Sequence, residues 1–174
     1  MLLFDDEKNG MLEMARMICA AARTAPKGRS MDLLTTAIVD GEEKDRLAER
    51  MRHIGKRDGL AFFERDAGNV SQAQLIILFG NKNQPLGLPK CGYCGFDSCQ
   101  ELKRAGGVCA FNSGDLGIAI GSAVSRAADL RIDNRILYTA GKAALELGLL
   151  GEDIALAYGL PLSITGKNPF FDRK

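Results

Sequence analysis

The chain has 174 residues, 46% hydrophobic and 26% charged, a balance suited to one water-soluble core and a single domain over residues 1–174. Its 23 basic and 22 acidic side chains leave a net charge of +1, which argues against a broad electrostatic surface for nucleic acid. No apolar run reaches the roughly 18 residues a membrane span needs. The opening MLLFDDEKNG turns acidic at once, without the basic-then-apolar pattern of a secretory leader. The expected compartment is the cytoplasm, with neither nucleic acid nor membrane as a partner.

Met11, Met14, Ala15, Ile18 and Ala22 recur at spacings of three and four, which predicts a helix from about Gly10 to Thr24. Cys19 lies within it and reads as a buried helix cysteine. Pro26, Gly28 and Ser30 break the pattern, and DLLTTAIV follows as a strand. EEKDRLAERMRHIGKRDG reads as a charged surface helix; its His53, the one histidine, belongs on the surface. LAFFERDAG is a shorter helix, and AQLIILFG a second strand, a compact apolar run with no breaker; of the two strands it is DLLTTAIV whose nearly continuous apolar residues suit cover on both faces. NKNQPLGLPK then leads into a cysteine-rich segment over residues 88–110, embedded after the strand. Beyond Cys109, Leu116, Ala119, Ile120, Ala123 and Ala127 mark a helix face, with Ser113 as its expected cap. Gly114, Gly117 and Gly121 are costly there and signal either tight packing or close approach by another backbone or a ligand. A helix from near Arg135 to Leu147, the strand DIALAYG and an ordered tail complete an α+β or layered α/β order.

Four of the five cysteines stand within CGYCGFDSCQELKRAGGVC, as Cys91, Cys94, Cys99 and Cys109. Disulfides are disfavoured in the cytoplasm, whereas thiolates ligate metals well. Two residues between Cys91 and Cys94 let one turn aim both sulfurs at a common centre, and Gly92 and Gly95 permit the tight backbone. DSCQELKRAGG reads as a short helix with Cys99 near its start; Gly106 and Gly107 end it and return Cys109. Four thiolates suit a [4Fe–4S] cluster or tetrahedral zinc, and the spacing alone also leaves a redox dithiol or inert cysteines open. Tyr93 and Phe96 are candidates to shield a metal group from water, or else plain loop anchors. The glycine-rich form favours iron–sulfur, and electron transfer is then the simplest role. The other reading is a non-catalytic interaction module stabilised by zinc or by a cluster.

The CGxCG segment resembles the cluster-binding stretch of corrinoid iron–sulfur proteins and Rnf-type electron-transfer subunits. That likeness carries Cys91, Cys94 and Cys99; Cys109 comes sooner than the fourth cysteine of those proteins. AARTAPKGRSMDLLTTAIVDGEEKDRLAE and IALAYGLPLSITGKNPFFDR resemble flavin-dependent nitroreductase-like proteins. NSGDLGIAIGSAV, YTAGKAALELG and GLPLSITGKNPFFDR, with the cysteine segment, are similar to a ferredoxin-domain family of anaerobic bacteria and archaea. These resemblances imply a nitroreductase-like α+β fold with a central mixed sheet flanked by helices, and a homodimer. They further imply an oxidoreductase with FMN as a candidate cofactor, approached by Arg23 and Lys27 at the early turn and by Lys167 and Arg173 in the basic tail. The Arg–Arg–Ser–x–Arg opening common in flavin-binding members is missing here.

Overall fold

The computed structural model describes residues 2–4 and 6–171. Six helices surround a four-stranded sheet: α1 (Met11–Thr24), β1 (Leu34–Val39), α2 (Gly41–Asp58), α3 (Ala61–Gln72), β2 (Leu75–Lys82), α4 (Cys99–Arg104), α5 (Ala110–Asp129), β3 (Asp133–Asn134), α6 (Tyr138–Glu146) and β4 (Ile154–Ser163). The sheet order is β1-β2-β4-β3.

β2 is apolar without interruption because both its faces are covered. Leu75, Ile77 and Phe79 turn toward α1 and α5, where Ala15, Ile18, Leu116, Ala119 and Ala123 meet them. Ile76 and Leu78, one residue out of step, turn toward α2, α3 and α6, among Leu47, Met51, Phe63, Ala140 and Ala144. Period-two alternation thus divides one strand between two cores. Burying each large side chain such as Phe79 or Ile76 contributes about 1.5–3 kcal/mol.

The expected α+β layering is present, but every strand pairing is antiparallel, where a mixed sheet was expected. Between β1 and β2 the reason is the connection. A single crossover helix would return the chain to its starting end; the α2–α3 hairpin returns it to the end it left, so β2 runs back along β1. β4 is longer than DIALAYG suggested, because LPLS continues the ladder against β2 to Leu162↔Leu75. α6 begins at Tyr138 rather than Arg135, since Leu137 is still bridged to Gly159 through both backbone bonds, 2.8 and 2.9 Å.

Gly141 and Gly159 let α6 press on the sheet. A Cβ on Gly141 would lie 1.8 Å from the carbonyl oxygen of Ala157, and one on Gly159 would lie 2.7 Å from the Ala140 Cβ. The tail beyond β4 is pinned by Asn168 donating to the Asp133 carboxylate (2.9 Å) and by Arg135 donating to the Phe170 carbonyl (2.8 Å).

Candidate redox site

The cysteine segment leaves the C-terminal end of β2 and returns at the start of α5. Gly92 (φ 65°) and Gly95 (φ 82°) take left-handed turns around Cys91 and Cys94, as does Lys90 (φ 53°) just before them. Ser98, which sequence reading left unassigned, accepts from the Glu101 amide (3.2 Å) and starts α4 at Cys99. The helix stops at Gly106 (φ 66°), and the Gly107 amide donates back to the Leu102 carbonyl (3.0 Å). Cys109 then takes the N-cap position of α5, four residues before the expected cap Ser113, which lies inside the helix.

All four cysteines of the segment are free thiols, and all four edge one small hollow floored by Leu88, Phe96 and Leu102. Cys109 is buried and the other three are half-buried. Among the described residues, no three His, Cys, Asp or Glu side chains are grouped closely enough to hold one metal ion. Asn83 ties the returning strand to the end of β2: its Nδ2 donates to the Gly107 carbonyl (2.8 Å) and its Oδ1 accepts from the Cys109 amide (3.2 Å). Asn81 adds a second tie, Nδ2 to the Asn112 carbonyl at 2.7 Å. Asn81 and Asn83 were not singled out from the sequence, although asparagines two apart at a strand end are a readable loop-anchoring signal.

Phe96 lies at the hollow as expected. Tyr93 does not: it is 76% exposed and stacks on Phe111, with centroids 5.6 Å apart and planes 8° from parallel. Together these two rings border a second, apolar pocket of about 440 Å³ between the Pro26–Gly28 turn and α5, with Gly114 and Ile118 on its helical side. Phe111 and Ala110 line both the hollow and the pocket. The turn is held by the Gly28 amide, 3.0 Å from each Asp115 carboxylate oxygen, and by Arg29 donating to the Leu86 carbonyl (2.8 Å). Arg29 and Ser30 adopt φ of 53° and 56° in succession. Two adjacent left-handed non-glycine residues cost on the order of 1–2 kcal/mol each, strain that clusters at functional turns.

The basic residues expected at a flavin fall in two places. Arg23 donates to the Asp32 carboxylate and to the Leu34 carbonyl, both at 2.7 Å. Burial pushes the Asp32 carboxyl up, but the Arg23 hydrogen bond and charge, the Leu34 amide and Lys27 outweigh it and hold it below its ordinary value. The Lys27 ammonium donates to the carbonyls of Arg23 (2.7 Å) and Ala25 (2.8 Å) at the end of α1. Lys167 instead edges a broad polar cleft of about 1020 Å³ with Arg65, Asn69 and Gln72 of α3 and Thr165 of the tail. Asn69 is 7% exposed, and its Nδ2 has no partner among the described residues. Arg23 and Lys27 sit where β1 begins, opposite Asn81 of β2, whereas Lys167 follows the end of β4, opposite Leu75. Six residues of strand, about 20 Å, separate those levels. One chain therefore does not bring the two basic groups together. Arg173 lies outside the described residues.

Cys19 packs against the α1–α5 core, half-buried, and burial pushes its thiol up. Gly114, Gly117 and Gly121 do not serve packing within the chain, since a Cβ at any of them meets nothing within 4 Å. They lie with Ile118, 50% exposed, on the outer face of α5.

The architecture is that of nitroreductase-like proteins. A nitroreductase with bound FMN from Desulfitobacterium hafniense matches with a TM-score of 0.61 at 17% identity, over 96% of this chain and 81% of that one. A putative NADH dehydrogenase/NAD(P)H nitroreductase from Bacteroides thetaiotaomicron matches with 0.59 at 13%, over 89% and 74%. At such identities the likeness shows the fold alone. A protein of Archaeoglobus fulgidus is 43% identical over 97% of this chain and 95% of its own length. Residues 105–173 match the family described as "uncharacterized protein containing a ferredoxin domain (DUF2148)". The chain belongs to that family.

Proposed function

We propose that this chain is a cytoplasmic electron-transfer protein that holds a [4Fe–4S] cluster on Cys91, Cys94, Cys99 and Cys109 and works with FMN bound between two copies of itself. The observation that carries the reading is the meeting of four free thiols around one hollow that shares a wall with an aromatic pocket. Four thiolates suit either a [4Fe–4S] cluster or a tetrahedral zinc, and the glycine-rich turns beside Cys91 and Cys94 favour the cluster. When bound, the cluster supplies one-electron exchange and the flavin one- or two-electron exchange.

The polar cleft fits a phosphate: Lys167 brings positive charge, Arg65 lies beside it though paired to Asp66 at 2.8 Å, and the Asn69 amide is a buried donor without an acceptor among the described residues. The Pro26–Gly28 pocket fits a flat ring. Because the two features lie at opposite ends of the sheet, a flavin reaching both takes its phosphate site from one copy and its ring site from the other. The outward glycines of α5 offer the close approach such a homodimer needs. Within it, Lys27 serves through the turn it holds, and Arg23 through the Asp32 link, rather than as direct phosphate ligands.

Anaerobic purification, with iron, acid-labile sulfide, zinc and flavin measured on one sample, tests the reading. It expects iron and sulfide at four each per chain, the content of one [4Fe–4S] cluster, and an absorbance that dithionite bleaches reversibly. A colourless protein with one zinc per chain would replace it with the non-catalytic module.

A further inference from the structure

We infer that Tyr93 couples the two compartments: filling the cysteine hollow raises the affinity of the neighbouring pocket for a flat, uncharged, fused-ring aromatic ligand, and the ligand reciprocally tightens the cysteine segment. The inference rests on the reading that the four cysteines hold an inorganic group. Tyr93 stands between two of those cysteines in sequence, yet its ring leaves the hollow and lies parallel to Phe111 over the pocket. Its position is set by a turn whose geometry depends on Gly92 and Gly95, both left-handed. Fixing Cys91 and Cys94 on a common centre fixes that turn, and with it the ring. Left to itself, the ring is 76% exposed and is held by one stacking partner. A segment ordered by its metal presents the ligand with a wall already in place, so less ordering is lost on binding. By linkage, the ligand must then favour the ordered segment by the same factor.

The pocket's chemistry selects the ligand class. Pro26, Phe111, Ile118 and Tyr93 are apolar or aromatic, the Asp115 carboxylate is already engaged by the Gly28 amide, and the Lys27 ammonium by the Arg23 and Ala25 carbonyls. Gly114 leaves the helical side flat: a Cβ there meets nothing within 4 Å. A stacked aromatic pair on one side and a glycine on the helical side favour a planar ring over an aliphatic or charged ligand.

Lumiflavin, a flavin ring without ribityl phosphate, is the probe, because it can use the ring pocket but not the polar cleft. Its fluorescence is titrated with anaerobic protein in the metal-free and iron–sulfide-loaded forms. Loading is expected to tighten binding about tenfold, the scale of one well-formed aromatic contact. Tyr93→Phe should keep the difference between the two forms. Tyr93→Ala should weaken binding and abolish the difference. Gly114→Leu, which gains helix propensity and meets no neighbour, should fold normally and lose lumiflavin binding in both forms. Equal affinity in both forms of the wild type, or undiminished binding by Gly114→Leu, overturns the inference. If iron and sulfide fail to enter, metal analysis shows it before any ligand is added, and both this inference and the cluster reading fall. If they enter and lumiflavin is indifferent to them, only the coupling falls.

Discussion

Replacing Asn83 by alanine should loosen the cysteine segment without loosening the fold. The side chain makes two bonds, one to the Gly107 carbonyl and one from the Cys109 amide, and these join the end of β2 to the returning segment. Each is worth about 0.5–1.5 kcal/mol net, so their loss favours local opening by about 1–3 kcal/mol. That raises the open population about 5- to 150-fold. Most core contacts remain, so the change belongs to a local opening rather than to global unfolding. Cys109 is buried and needs that opening to react, which makes its alkylation in metal-free protein the readout, followed by peptide mass spectrometry. Cys109 should accelerate by that factor while half-buried Cys91 barely changes. Cys19 should stay slow throughout, because burial raises its thiol. Asn83→Asp keeps the acceptor for the Cys109 amide and loses the donor to Gly107, so it should fall between. In loaded protein the alanine variant should surrender iron to a chelator faster. An unchanged Cys109 rate in Asn83→Ala would show that the segment is held by something other than this side chain.

Gly141→Ala should cost about 3 kcal/mol or more in denaturant unfolding, because its Cβ would enter the Ala157 carbonyl rather than a flexible side chain. Gly121→Arg should leave the monomer's thermal stability near that of the wild type; the proposed homodimer expects light scattering to find the wild type dimeric and this variant monomeric. Lys167→Glu should weaken FMN binding more than lumiflavin binding, since only FMN carries the phosphate; equal losses would remove the polar cleft from the flavin site. Asp32→Asn should lower stability at pH 7 by about 0.5–1 kcal/mol, the modest scale of an exposed pair. Since the folded carboxyl is depressed, its contribution is complete above the unfolded value of about 3.9 and disappears as pH falls through the lower folded one. Thermal melts of variant and wild type should therefore converge near pH 2.

The residues that declared themselves in the sequence were those whose role is carried by local pattern. Leu75–Phe79 read as a strand because five apolar residues form a compact run without a breaker, but double cover was expected of DLLTTAIV; the structure leaves β1 mostly half-buried at the sheet edge and divides β2 between two cores instead. The cysteine turns were legible for the same reason, since glycines beside sulfurs constrain only their own neighbours. Strand direction was not legible, because it depends on whether one helix or a hairpin of two intervenes. Nor was the division of the basic residues. Lys27 and Lys167 look equivalent as charges, but one is consumed by the carbonyls at the end of α1 and the other borders a cleft with an orphaned amide.

The helix glycines show how far the pattern reaches. Gly114, Gly117, Gly121 and Gly141 all weaken a helix by about 1 kcal/mol relative to alanine, though only the three on α5 were singled out from the sequence. The structure separates them. Gly141 is explained within the chain by the carbonyl that a side chain would strike; the three on α5 meet nothing of the chain. A helix that carries three such residues on one exposed face, beside a half-exposed isoleucine, is built for contact with something outside it. Gly114 borders the ring pocket, whereas Gly117 and Gly121 line neither the pocket nor the hollow. Under the proposed function one helix face would therefore serve two occupants, a flat ligand near its start and a second copy of the chain farther along, and a flavin shared between copies is the arrangement that would place both there at once.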